Sequence, residues 1–523
     1  MARFILVLMA ALGLPVPAAG AWMEASSPNF VVYADDSERN LRLFAERLEL
    51  YHEALELLNG MDVPAPSPSN RLTIFVVRDT RAVARLSASG DNNIAGFYKA
   101  RAGASVAVVP DVENATGQQV FSMQVLLHEY VHHFLLSNTA YAWPRWLNEG
   151  GAEFYSATVF HSDGRVQMGM PNHARAAELA YGENVTVEEL VDPQLYRERH
   201  GSAQTAFYGK SWALYHYLAM DQARSGQLEA YIAALQQGMG SRLAAEAAFG
   251  DLAVLERDVT AYLKRPKMDV LSIRAGRLQG GAVATRRLSA GEAAMMPVRI
   301  RSQSGVTPAI AAELVEQARR IAARFPDDAA VLTALAEAEY DAGDDARTIA
   351  AADAALAIDP GQANAYVQKG YALFRQAGKA PDRDQAFQAA VAPFLALNAR
   401  EPDHALPLIY FYRSFLARGE APNENAMAAL ERAARIAPHD ISLQLERARQ
   451  CLRQGRLDAA RISLGPIAGA PHGGVMAERA ARAIERIDAG LPVDESALFP
   501  SSRAADTPET KEPAPVSPAE QTS

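Results

Sequence analysis

The chain has 523 residues, more than one hydrophobic core accommodates, so it divides into several domains. Hydrophobic residues at 49% and charged residues at 21% describe a soluble globular protein, and a net charge of -10 excludes nucleic acid as the main partner, because no basic face is present to neutralise phosphates. Cys451 is the only cysteine, which excludes a disulfide within the chain.

The first residues have the grammar of an export signal. Arg3 supplies a positive start, residues 4–14 are apolar, Pro15 and Pro17 break the run, and Ala19-Gly20-Ala21 offers small residues for cleavage. Residues 1–21 are therefore read as a signal peptide and Trp22 as the mature start. The apolar run is too short to span a bilayer, so no stable membrane anchor remains after cleavage. The protein is expected to be exported, periplasmic or secreted.

Residues 29–33 predict a strand, and residues 38–58 an amphipathic helix with Leu41, Phe44, Leu48, Tyr51, Leu55 and Leu58 on one face. Residues 72–77 form an apolar, β-branched run that predicts a buried strand, followed by a short helix over 80–86 and a polar loop over 87–93. Two more strands are predicted at 97–98 and 105–109. The second is read as an edge to which an extended peptide can pair. Helices are predicted over 118–136, 146–158, 205–220, 228–236 and 251–264, which makes residues 22–265 an α+β domain. Residues 266–306 read as a connector or small β-subdomain, with β-prone pieces at 270–273 and 297–300.

From residue 307 the chain turns alanine-rich and periodic. Pro326 and Pro360 are 34 apart, and Pro402, Pro438 and Pro471 continue at similar intervals. Gly343, Gly378, Gly419 and Gly455 are placed to end first helices, and Ala336, Gly370 and Ala448 to sit at close helix crossings. A period near 34 belongs to helix–turn–helix arrays, and residues 307–490 resemble about four tetratricopeptide repeats, an all-α solenoid. Such repeats imply a protein partner. Residues 491–523 are rich in Pro, Ser, Thr and Glu and predict a disordered tail.

Chemistry concentrates in His128-Glu129-Tyr130-Val131-His132-His133. His128 and His132 are four apart and project from one helix face, the spacing that lets two imidazoles hold one Zn2+ with Glu129 beside the metal's water. A hydrolytic zinc site needs a third ligand and an open position. Glu149, in Trp146-Leu147-Asn148-Glu149-Gly150, supplies the ligand, and Glu153, four residues on, can accept the free N–H of a ligand histidine. His133 points away from His132 and is not read as a ligand.

This combination resembles the gluzincin metallopeptidases, within a zincin-like domain, and also bacterial exported proteins that join such a domain to tetratricopeptide repeats. The resemblance implies His128, His132 and Glu149 as zinc ligands, Glu129 as general base and Glu153 as the carboxylate behind a ligand histidine. Tyr208-Gly209-Lys210-Ser211 resembles the Tyr-x-Lys-Gly segment of aminopeptidase relatives, which implies that Tyr208 stabilises the oxyanion. His216 is read as structural, with a second stabiliser of the oxyanion as the alternative. The Gly-x-Met-Glu-Asn segment that binds a free amine in those relatives is missing, and the spacer before Glu149 is about two residues shorter, so aminopeptidase specificity is not implied. The expected function is zinc-dependent cleavage of a peptide or protein substrate. The alternatives are a catalytically inactive zincin-like scaffold acting through its repeats, and hydrolysis of a non-peptide amide.

Overall fold

The computed structural model describes residues 22–87, 94, 96–110, 117–118, 121–139, 143–201, 203, 205–470, 474–493 and 498. The predicted signal peptide, the loop residues 88–93 and the tail beyond residue 498 lie outside them. In chain order the strands are β1 (Met23–Ser26), β2 (Phe30–Ala34), β3 (Leu72–Val77), β4 (Phe97–Lys99), β5 (Val106–Pro110), β6 (Gly117–Gln118), β7 (Val159–Phe160), β8 (Val166–Met168), β9 (Leu271–Ile273) and β10 (Ala284–Arg287). They form a six-stranded sheet, β10-β1-β2-β3-β5-β4, and a four-stranded antiparallel sheet, β6-β7-β8-β9.

The centre of the larger sheet, β2-β3-β5, is parallel. Parallel strands are covered on both faces, which explains why β5 is an unbroken buried run instead of an alternating one. On one face Phe30, Val32, Ile74, Ala107 and Val109 pack against helix α1 (Glu38–Asn59) and the histidine-bearing helix described below. Ser37 caps the start of α1, and Gly60 ends it with a left-handed φ of 60°. On the other face Tyr33, Phe75, Val106 and Val108 meet Val83 of α2 (Thr80–Leu86).

The remaining helices of this unit are α3 (Phe121–Asn138), α4 (Arg145–Ser156), α5 (His173–Tyr181), α6 (Val187–Val191), α7 (Pro193–His200), α8 (Phe207–Met220), α9 (Gln227–Gln236), α10 (Ser241–Phe249) and α11 (Leu252–Tyr262). The array that follows comprises α12 (Ala290–Gln303), α13 (Pro308–Ala322), α14 (Ala329–Asp341), α15 (Asp345–Ile358), α16 (Ala363–Ala377), α17 (Arg383–Ala390), α18 (Ala392–Arg400), α19 (Ala405–Ala417), α20 (Glu424–Ile436), α21 (Ile441–Arg453), α22 (Leu457–Ala468) and α23 (Val475–Asp488). Neighbouring helices pack in sequence as hairpins. Gly343, Gly419 and Gly455 take positive φ after α14, α19 and α21, whereas Gly378 is ordinary right-handed backbone. Gly370 lies against the Phe394 ring, a close approach that leaves no room for a Cβ.

Three expectations are corrected. Residues 105–109 do not form an edge: β5 lies between β3 and β4, and β4 is the outer strand. Residues 266–306 are not a separate subdomain. β9 completes the smaller sheet, β10 pairs with β1, and Pro297 to Ile300 are helical within α12. Finally, the helical array begins at Ala290 and is not hung on a linker. Met296 and Ile300 of α12 cover the second face of the main sheet, while Met295 and Val298 pack with Leu314, Val315 and Val331 of the array. One helix thus belongs to both cores.

Candidate metal centre

The centre is built on α3 and α4. Helix α3 is apolar on several sides and buries Met123, Leu126, Leu127, Tyr130, Val131, Phe134 and Leu135, which fixes its rotation and depth. Helix α4 is buried along nearly its whole length. Gly150 is required by packing: a Cβ there would stand 2.5 Å from the carbonyl oxygen of Ser211, so the backbones of α4 and α8 touch beside Glu149.

His128, His132 and Glu149 converge. His128 Nε2 and His132 Nε2 are 3.0 Å apart, and Glu149 Oε2 lies 3.3 Å from the first and 3.5 Å from the second. Two ligands about 2.1 Å from a tetrahedral zinc are separated by about 3.4 Å, so the three donor atoms fit the face of such a site. Two imidazoles and one carboxylate are also the donor set that suits zinc. His132 and Glu149 are buried, and His128 is partly open, which leaves the cluster approachable from one side.

A second layer orients the donors. His128 Nδ1 lies 3.3 Å from Glu153 Oε1. Arg175 Nη2 donates to the same oxygen at 2.7 Å, and Asn172 Nδ2 donates to Oε2 at 2.9 Å. Burial opposes ionisation of Glu153, but Arg175 and His128 outweigh it and hold the carboxyl down to about 2. Glu149 is likewise held well below the usual carboxylate range against its burial by the two histidines. Burial would lower the His128 pKa, yet Glu153 and Glu149 outweigh it and push it up to about 10.

The second layer holds residues that sequence reasoning missed. Asn148 Oδ1 is 2.9 Å from His132 Nδ1, and Asn148 is fully buried. Its place next to Glu149 in the Trp-Leu-Asn-Glu-Gly motif was the available signal. Arg175 carried none, because it reaches the centre from α5, an element not predicted.

Tyr208 stands at the start of α8, where Glu178 Oε1 accepts from the backbone N–H groups of Tyr208 and Gly209 at 3.0 and 3.2 Å. Arg175 stacks 5.1 Å from the Tyr208 ring centroid, and Arg145 lies 5.7 Å from it. Burial and the Glu149 charge raise the Tyr208 pKa against these two arginines, which keeps the hydroxyl a proton donor. Glu129 is on α3, partly exposed, and near enough for its charge to act on the Tyr98 hydroxyl. His133 takes no part in the cluster: its Nδ1 pairs with Tyr98 Oη at 2.6 Å. His216 is buried, accepting from Tyr262 Oη at 2.7 Å and donating through Nε2 to the Gly169 carbonyl at 2.9 Å, a structural role.

Residues 122–238, which span both histidines, Glu149 and Tyr208, match the family described as "Protein of unknown function (DUF1570)". No curated protein matches the chain. Among solved structures it is similar to TTC0263, a thermophilic TPR protein of Thermus thermophilus, at 19% identity and a TM-score of 0.29, over 35% of this chain and 91% of that one. It is also similar to MamA of Desulfovibrio magneticus RS-1, at 16% identity and a TM-score of 0.26, over 39% of this chain and 97% of that one.

Proposed function

We propose that the chain is an exported zinc peptidase, with a zincin-like unit for hydrolysis and tetratricopeptide-type repeats for a protein partner. The observation that carries this is the convergence of His128 Nε2, His132 Nε2 and Glu149 Oε2 within 3.5 Å of one another. These three residues would hold the zinc. When bound, it supplies a Lewis acid that polarises the scissile carbonyl and acidifies water.

The remaining steps belong to the chain itself. Glu129, one residue from a ligand and partly open, takes the proton of the attacking water and delivers it to the leaving amine. Tyr208 keeps its proton and donates a hydrogen bond to the carbonyl oxygen as negative charge develops there. Glu153 and Asn148 each accept from an Nδ1–H and so present the Nε2 lone pairs of His128 and His132 to one point. Strand β4 ends the main sheet and touches α3 through Tyr98 and His133, so an extended substrate can pair along it.

The test compares wild type with Glu129→Gln on a library of unstructured peptides, with cleavage read by mass spectrometry. Wild type is expected to cleave, and the variant to retain zinc and lose about 10²–10⁴ in rate, the range of a general base. Equal rates overturn the mechanism. Zinc-loaded wild type that cuts no peptide moves the protein to the scaffold or to a non-peptide amide.

A further inference from the structure

The last carbonyls of a helix have no partner within the helix and usually face water. Gly469, at the C-terminus of α22 in the array, is an exception. Its carbonyl accepts from Asn148 Nδ2 at 3.0 Å, across 321 residues of sequence and inside the N-terminal unit. Asn148 Oδ1 in turn faces His132 Nδ1, and His132 Nε2 faces His128 and Glu149. A carbonyl can only accept, so the amide must turn its NH2 to Gly469 and its oxygen to the imidazole. The oxygen can only accept as well, so His132 donates through Nδ1, and its neutral ring has the lone pair on Nε2.

Gly469 is a glycine for the sake of this approach. Its φ of -88° suits any residue, but a Cβ would lie 2.8 Å from both the backbone nitrogen and the carbonyl oxygen of Trp143, just ahead of α4. Backbone atoms cannot yield as a side chain does. Other contacts seat the array on the same unit. His439 Nδ1 pairs with Ser137 Oγ of α3 at 3.0 Å, and its ring lies 4.8 Å from that of His133. Asp440 Oδ2 accepts from the Ala102 backbone N–H at 2.8 Å, in the turn between β4 and β5.

We infer that the helical array completes the metal centre: the Gly469 carbonyl sets the Asn148 amide, the amide sets the tautomer of His132, and metal binding is thereby coupled to seating of the array. The inference rests on the metal reading above and adds Asn148 and Gly469 as positioning residues. Coupling of this kind is reciprocal, so zinc must tighten the array by the factor by which the array tightens zinc.

The experiment uses the full chain and zinc alone, with affinity measured by competition against a chromophoric chelator and folding checked by circular dichroism. Gly469→Ala is expected to weaken zinc about tenfold, the low end for partners behind a ligand. Asn148→Ala is expected to weaken it at least as much. The double variant should match Asn148→Ala alone, because both act through one imidazole; independent structural damage would add. Should Gly469→Ala fail to fold, hydrogen exchange on wild type decides: zinc must slow exchange at the end of α22 more than in α15. Unchanged affinity in Gly469→Ala, additive losses, or equal exchange at both helices overturns the coupling. A wild type that binds no zinc instead overturns the metal reading beneath it.

Discussion

The N-terminal unit and the helical array are held together by different means. The first depends on strands that are distant in sequence and on large buried rings such as Tyr51, Trp146 and Phe154. The second stacks local hairpins on alanines, with Ala336, Ala352, Ala355, Ala365 and Ala372 fully buried at helix crossings. Their buried charges differ too. In the array Glu339 is answered by Arg319 at 2.6 Å, an acid with its base. In the N-terminal unit the buried Glu149 faces two imidazoles whose donor atoms point at the same place. Burying an ionisable cluster of this kind opposes folding unless a partner compensates it. The array thus pairs its buried acid with a base, whereas the N-terminal unit sets its buried carboxylate against the two imidazoles of the proposed metal centre.

Variants that separate the two regions sharpen the contrast. The largest effect is expected from His132→Ala, which removes a donor. Zinc affinity should fall by more than the roughly hundredfold that changes behind the ligands produce, while far-UV circular dichroism keeps the array's helical signal. A chelator titration checks this, and an unchanged affinity would break the distinction.

Gly150→Ala is next. Its Cβ meets the backbone of Ser211, so α8 must move and carry Tyr208 away from Glu149. A cost of about 3 kcal/mol, at the upper end for overpacking, is expected in denaturant unfolding, together with loss of peptide cleavage. Gly370→Ala makes the matching intrusion in the array, where the three nearest atoms belong to the Phe394 ring and not to backbone. There about 1 kcal/mol is expected, with zinc affinity unaltered. A Gly370→Ala protein that binds zinc ten times more weakly would show the array to be less modular than its packing implies.

The smallest effect concerns pH at the boundary between the regions. Burial lowers the pKa of His133, helped by the neighbouring His439 and His52, and burial likewise lowers that of His439. A base whose folded pKa is depressed binds fewer protons in the native state than in the unfolded one. Stability is then fully present above the unfolded value of about 6.5 and declines as the pH falls below it. The raised pKa of His128 acts in the opposite sense over the same range, so the boundary histidines are read from a difference: between pH 7.5 and pH 5 the urea midpoint of the wild type should lose more, or gain less, than that of His439→Gln. Identical pH dependence in the two proteins contradicts this.

How much of this could be read from the sequence depended on distance. His128 and His132 were legible because one helical turn joins them, and Glu149 and Glu153 because the next helix repeats the spacing. The strand over residues 72–77 and the helix from Glu38 were legible from local pattern alone. Strand order was not: whether β5 is an edge depends on where β4 returns, and no local feature encodes that. Residues 297–300 looked β-prone because Val298 and Ile300 are β-branched, yet burial between two cores makes them helical, tertiary packing overriding propensity. Asn148 was visible as a motif letter, but its partner lies 321 residues away on a backbone carbonyl, which no side-chain pattern announces.

The central claim is that His128, His132 and Glu149 form one zinc site. Its most direct test is the zinc content of purified full-length protein, wild type beside His132→Ala, after dialysis against a weak chelator. The account predicts one zinc per chain in the wild type and none in the variant. A wild type that retains no zinc, or a variant that retains as much, would contradict it.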